Sequence, residues 1–168
     1  MNKMTYFLRE LVDSDKDMIF QWRNAAEVRV NMLSNHPIMY KEHCRWFEDA
    51  MHNSTYFRVF IGPDKPLGFV SFKKTVKDEC VWGFYIGEQD APKGSGTIMA
   101  MLAIDYAFYQ LNMNKIIGEV LFFNKKSQGL HLKLGFEKEG VYQNQQDQIQ
   151  DVFRFVLSKE KLKFRTEE

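Results

Sequence analysis

Apolar positions along this chain of 168 residues change period several times, and each change marks an element. Thr5 to Leu11 alternates and carries Tyr, Phe and Leu, which predicts a strand. Asp13 then stands in a capping position before a helix whose apolar residues Met18, Ile19 and Trp22 recur at helical spacing. Asn35-His36-Pro37 breaks the pattern, and Met39 to Met51, with Tyr40, Cys44, Phe47 and Met51 on one stripe, predicts a second amphipathic helix. From Thr55 the residues turn aromatic and β-branched. Thr55 to Ile61 and Leu67 to Phe72 predict an antiparallel hairpin turned by Gly62-Pro63-Asp64-Lys65-Pro66. Cys80 to Gly87 is a nearly continuous apolar run, as in a central strand covered on both faces.

A loop with charge, proline and glycines, Gly87 to Gly96, opens onto Thr97 to Leu111, an apolar segment too long for a strand and therefore a buried helix. Lys115 to Phe123 predicts a further strand, Ser127 to Phe136 a short helix closed by Gly135, and Val152 to Leu157 the second of two closing strands. The expected order is β-α-α-β-β-β-α-β-α-β-β without internal repeats. Gln143 to Gln150 reads as a connecting loop, and 158–168 as a solvated, flexible tail.

Composition narrows the class. With 45% hydrophobic and 15% aromatic residues, the chain suits one globular domain over 1–168. Twenty-three basic against 22 acidic residues leave a net charge of +1, so no footprint for nucleic acid or an anionic membrane is expected. No apolar run reaches the roughly eighteen residues of a spanning helix, and Met1 to Glu10 is too polar for a secretory leader, so the expected location is the cytoplasm. Cys44 and Cys80 form no CxxC pair and read as free thiols; four histidines without HExxH spacing give no metal site.

The chemistry concentrates between Cys80 and Leu111. Gly94 and Gly96 allow backbone amides to turn outward at a helix start, where unpaired N–H groups and the helix dipole attract phosphate. A triphosphate loop is excluded, because Thr97 follows Gly96 with no lysine between; a dinucleotide fingerprint fails because Met99 holds its last glycine position.

Ala91-Pro92-Lys93-Gly94-Ser95-Gly96 resembles the pyrophosphate-binding motif R/Q-x-x-G-x-G/A of the GCN5-related N-acetyltransferases, the GNAT family. It departs at Ala91, where Lys93 can supply the lost charge. Asn124 to Phe136 resembles that family's second segment, N-x-x-A-x-x-L-Y-x-K-x-G-F. Leu8-Arg9, Trp22-Arg23-Asn24, Glu42-His43, Trp46-Phe47-Glu48, Glu139-Gly140-Val141 and Asp151-Val152 extend the similarity to the subgroup holding the N-acetyltransferases of pseudaminic acid biosynthesis. Those enzymes acetylate a nucleotide-linked 4-amino sugar for flagellin glycosylation; Trp-Arg-Asn also occurs in relatives that acetylate ribosomal proteins.

The resemblance implies an α/β (α+β) GNAT fold, a mixed, mostly antiparallel sheet of about seven strands flanked by helices, with acetyl-coenzyme A as cofactor. It implies that Tyr85 and Ile86 offer backbone groups to the pantetheine arm, that Lys93, Gly94, Ser95, Gly96 and Thr97 hold the pyrophosphate, and that Asn124 and Ser127 contact the rest of the cofactor. Arg23 and His43 become nucleotide-sugar contacts, with Ser71, Lys74, Tyr85 and Glu119 lining the reacting centre. Glu119 is the candidate base for direct attack by the amine, and a backbone N–H near Tyr85 or Ile86 the oxyanion donor. His131 stands where the family has a tyrosine that protonates the departing thiolate; it can take that role or fill a helix face beside the cofactor. The acceptor reading is a small-molecule nucleotide sugar, against a polyamine or protein N-terminus and against a non-catalytic acyl-coenzyme A module. A homodimer is compatible with all three.

Overall fold

A computed structural model describes residues 5–145 and 149–166. Strand β1 (Phe7–Arg9) is followed by helices α1 (Asp15–Asn24), α2 (Ala26–Arg29) and α3 (Tyr40–His52). Next come strands β2 (Phe57–Ile61), β3 (Pro66–Lys74) and β4 (Glu79–Ile86), helix α4 (Ser95–Asp105) and strand β5 (Lys115–Leu121). Helix α5 (Lys125–Leu134), strands β6 (Glu137–Asn144) and β7 (Gln150–Ser158) and helix α6 (Lys159–Thr166) complete the order. The seven strands form one sheet in the order β1-β2-β3-β4-β5-β7-β6, which gives β4 the central place that its apolar run predicts. Only the β4/β5 pairing is parallel among the registers resolved, and its ladder runs from Glu79–Lys115 to Trp82–Gly118. The expected mixed α/β fold is present.

Local chemistry explains where elements stop. At Asn24 the side chain takes over the backbone of Ile38, accepting from its N–H at 2.7 Å and donating to its carbonyl at 2.9 Å. Ala25 is consequently extended (φ −61, ψ 134), and the chain restarts as the short α2, which the periodicity does not predict. Asp13 is not the cap of α1. Asp15 does the local work instead, accepting the Val12 N–H at 2.9 Å and a two-pronged contact from Arg9 at 2.7 and 2.8 Å. Helix α5 ends as expected: Gly135 adopts φ 101, and the N–H groups of Gly135 and Phe136 close back on Leu132 and His131.

Two compact units share the chain. The first takes in 1–30, 35–71 and 84–103. Its core joins Leu11, Ile19, Trp22, Phe47, Ala50, Val59 and Phe69, so helices α1 and α3 bury their apolar stripes on β2 and β3. Gly68 lets β3 lie close to β4, since a Cβ there would fall 2.5 Å from the Tyr85 carbonyl oxygen. The second takes in 31–34, 72–83 and 104–168. Ile116, Val120, Phe136, Phe155 and Leu157 are among its buried side chains. The last turn of the long helix is a π turn, Tyr106–Gln110, closed by Leu111 N–H on the Tyr106 carbonyl. Of the segment expected as an open tail, Lys159–Thr166 is helical. Most of the expected Gln143 to Gln150 loop is shorter than predicted: β6 runs to Asn144 and β7 begins at Gln150, while Gln146, Asp147 and Gln148 lie outside the described residues. Among the described residues, no helix is long and apolar enough to cross a membrane.

Candidate active site

In the first unit, the loop before α4 has the shape of an anion cradle. Gly94 takes φ 90, a left-handed conformation that glycine adopts without strain. The Ser95 N–H and hydroxyl both bond the Pro92 carbonyl, at 3.1 and 2.5 Å, closing the turn inward. Ile98 N–H makes the first intrahelical bond, to the Gly94 carbonyl. Helix geometry therefore leaves the Gly96 and Thr97 N–H groups ahead of the ladder, at the positive end of the dipole. A Cβ on Gly96 would meet nothing nearer than Ile86 Cγ1 at 4.0 Å, so there is open space beside Gly96, and Lys93 is exposed. Ser95 is buried and spends both its N–H and its hydroxyl on closing the turn, so the open donors are the amides that follow it. These groups fit a pyrophosphate.

The same unit gathers Arg23, His43 and Tyr85. Arg23 places its guanidinium 4.6 Å from the centre of the Trp46 ring and has no ion pair among the described residues. Burial draws its pKa below the ordinary value, against the attraction of Tyr85 and Glu42. His43 is fully buried and stacks on Trp46 at 5.5 Å. Its Nε2–H donates to the Lys16 carbonyl at 2.7 Å, whereas Nδ1 has no partner. Tyr85 lies edge-on to Trp22, and its buried hydroxyl also has no partner; burial raises its pKa above the usual phenol range. Ser71, opposite Phe57 in the β2/β3 ladder, is half-buried.

The second unit treats its polar side chains differently. Trp82 Nε1–H donates to His131 Nε2 at 3.1 Å, which makes Nε2 an acceptor, and Nδ1–H donates to the Ser127 carbonyl at 2.7 Å. His131 is 2% exposed, and burial lowers its pKa. With Nε2 accepting from Trp82 and its one N–H committed to the Ser127 carbonyl, the neutral ring is poorly placed to protonate a thiolate, and the acid role implied for it does not fit its surroundings. It also explains Gly118, whose added Cβ would sit 2.4 Å from His131 Nε2. Asn124 caps α5 by accepting the Ser127 N–H at 3.2 Å. Glu119, on β5, accepts the Tyr142 hydroxyl at 2.8 Å. Lys74 is exposed at the end of β3. Cys80 is buried, which pushes its thiol up to about 11 and removes it as a nucleophile at neutral pH. Sequence reading did not single out Trp82 or Tyr142; Trp46 appeared only within a motif.

A family model described as an acetyltransferase (GNAT) domain matches residues 6–137. The chain belongs to the GNAT family. GNAT membership makes it an acetyl-coenzyme A-dependent N-acetyltransferase. Its curated relatives include acetyltransferase PseH of Campylobacter jejuni subsp. jejuni serotype O:23/36, 29% identical over 124 residues covering 73% of this chain and 76% of that protein. PseH of serotype O:2 is 27% identical over the same coverage. Among solved structures, spermidine N-acetyltransferase from Vibrio cholerae in complex with CoA and spermine superposes with a TM-score of 0.83 at 23% identity, covering 94% of this chain and 98% of that one. Aminoglycoside acetyltransferase AAC(6')-Ib in complex with coenzyme A gives 0.80 at 14% identity, covering 97% and 99%. Both structures share the GNAT fold with this chain.

Proposed function

We propose that this GNAT enzyme, working as one catalytic domain, acetylates the amine of a nucleotide-linked amino sugar, the 4-amino group of a UDP-4-amino-4,6-dideoxy sugar of the pseudaminic acid type. The observation that carries the reading is Arg23: a half-buried guanidinium seated on Trp46 with no ion pair among the described residues, Glu42 attracting it only from farther away. A cation left in this state suits a diphosphate, and the neighbouring aromatic faces suit a base or sugar; a polyamine would be repelled by it. The similarity to PseH supports the same acceptor class.

In this reading the Gly96 and Thr97 amides and the Lys93 charge hold the cofactor's pyrophosphate, Gly94 and Ser95 shape the turn that presents them, and Asn124 and Ser127 lie further along the cofactor. The β4 backbone at Tyr85 and Ile86, beyond the four pairs of the β4/β5 ladder, offers strand-like bonds to the pantetheine arm. Acetyl-coenzyme A supplies the acetyl group as an activated thioester. Arg23, His43, Ser71 and Lys74 orient the acceptor, the Tyr85 hydroxyl supplies a donor without an internal claim on it, and Glu119 takes the proton from the amine. The test is thiol release from acetyl-coenzyme A with a UDP-4-amino-4,6-dideoxy sugar, spermidine and an N-terminal peptide in parallel. The sugar nucleotide is expected to give the highest kcat/KM with intersecting initial-velocity lines. Preference for spermidine overturns the acceptor class, and parallel lines overturn direct transfer.

A further inference from the structure

The second unit contains a polar arrangement around Glu119 that the reaction as described leaves unexplained. Glu119 on β5 lies directly opposite Arg154 on β7, and Arg154 lies opposite Gly140 on β6. Directly opposed residues share a sheet face, so a Glu119–Arg154 ion pair is the obvious outcome. It does not form. The β6/β7 ladder shifts register between Lys138 and Gly140, making Glu139 the extra residue of a bulge. Glu139 takes Arg154 instead, with Oε2 3.6 Å from its Nε.

The same shift decides the face of Tyr142. With the bulge, Tyr142 opposes Val152 and so shares the face of Arg154 and Glu119. Without it, period-two alternation would place Tyr142 on the other face. From β6 its side chain spans β7, a distance of about 10 Å between outer strands, and donates its hydroxyl to Glu119 Oε2 at 2.8 Å. Burial and that bond hold the phenol protonated above its ordinary range, so it acts as a donor. Tyr142 is the hydrogen-bond partner of Glu119 among the described residues.

We infer that Tyr142 is a positioning residue for Glu119: a neutral phenol fixes one carboxylate oxygen and leaves Oε1 for the acceptor amine, while the Glu139 bulge withdraws Arg154. A guanidinium fork would have occupied both oxygens and stabilised the unprotonated carboxylate, weakening it as a base. The inference rests on the reading of Glu119 as the base.

The test pairs Glu119→Gln and Tyr142→Phe, singly and together, with acetyl-coenzyme A and the fastest acceptor among the UDP-4-amino sugar, spermidine and peptide. Glu119→Gln is expected to lower kcat by about 10²-fold or more. Tyr142→Phe should lower kcat about tenfold, as expected for losing a hydrogen bond to a charged group, with the acetyl-coenzyme A KM unchanged. In the Glu119→Gln background Tyr142→Phe should add nothing. A readout apart from turnover is the ¹³C carboxylate resonance of Glu119 in protein labelled at glutamate, assigned by its loss in Glu119→Gln. It should move in Tyr142→Phe. A Glu119→Gln enzyme at the wild-type rate removes the base and with it this role for Tyr142. A crippled Glu119→Gln beside a wild-type Tyr142→Phe, additive effects in the double variant, or an unmoved resonance overturns the inference while leaving Glu119 as base.

Discussion

His43 and His131 are both buried, but their neighbourhoods are organised on opposite principles. Around His131 polar atoms are matched inside the protein: Trp82 and the Ser127 carbonyl take the two ring nitrogens, and Asn124 takes the Ser127 N–H. Around His43 the matching is incomplete. Its Nδ1 and the Tyr85 hydroxyl have no partners, and Arg23 rests on Trp46 without an ion pair among the described residues. An unsatisfied buried polar atom costs about 1–3 kcal/mol, and interiors seldom tolerate several together. The polar atoms around His131 thus fix the packing of the second unit, whereas those around His43 leave hydrogen-bonding capacity unused.

The largest expected effect breaks the cofactor cradle without touching this contrast. Gly96→Asp adds a carboxylate where a Cβ is accommodated, so the fold should survive. An attraction at the helix end worth up to about 2 kcal/mol becomes a repulsion of similar size. Calorimetric affinity for coenzyme A should fall by a factor on the order of 10²–10³; unchanged affinity would displace the pyrophosphate from this loop. Next, Arg23→Gln should raise the KM for a UDP-linked acceptor about 10- to 100-fold, as for a charged hydrogen bond, without altering the acetyl-coenzyme A KM. An equal loss for both substrates would mean that Arg23 supports the fold instead.

His131→Phe sharpens the other half of the comparison. It removes the acceptor that His131 offers the Trp82 N–H, at a cost of about 1–3 kcal/mol in unfolding free energy, but should change kcat by less than tenfold. A loss of 10²-fold or more with stability intact would restore the acid role. The smallest effect concerns pH. His43 and His131 both have pKa values depressed by burial, so their neutral forms belong to the folded state. Their contribution is present above the ordinary histidine value of about 6.5 and is lost as pH falls through the lower folded values. Melting temperature should decline on acidification below about pH 6.5, and less steeply in His131→Phe. A slope identical in the two proteins would contradict the assignment to His131.

What could be read from the chain was local. Alternation gave the β2/β3 hairpin, an unbroken apolar run gave central β4, and glycines marked the start of α4 and the end of α5. The short α2 escaped because the Asn24 side chain, at the end of α1, binds the backbone of Ile38, fourteen residues away. The role of His131 stayed open between two readings because its partner, Trp82, is 49 residues distant, and nothing in the α5 motif names it. Tyr142 was invisible for a subtler reason: a one-residue bulge decides which face it joins, and no periodicity announces that. The turn into α4 was legible because Gly94, at φ 90, meets a local backbone requirement rather than a long-range contact.

Titration of UDP into the coenzyme A-loaded protein, wild type beside Arg23→Gln, tests most directly whether the unpaired guanidinium awaits a phosphate. The wild type should bind UDP, the variant should bind it about 10- to 100-fold more weakly, and spermidine should not compete. Absence of UDP binding, together with saturable binding of spermidine, would contradict it.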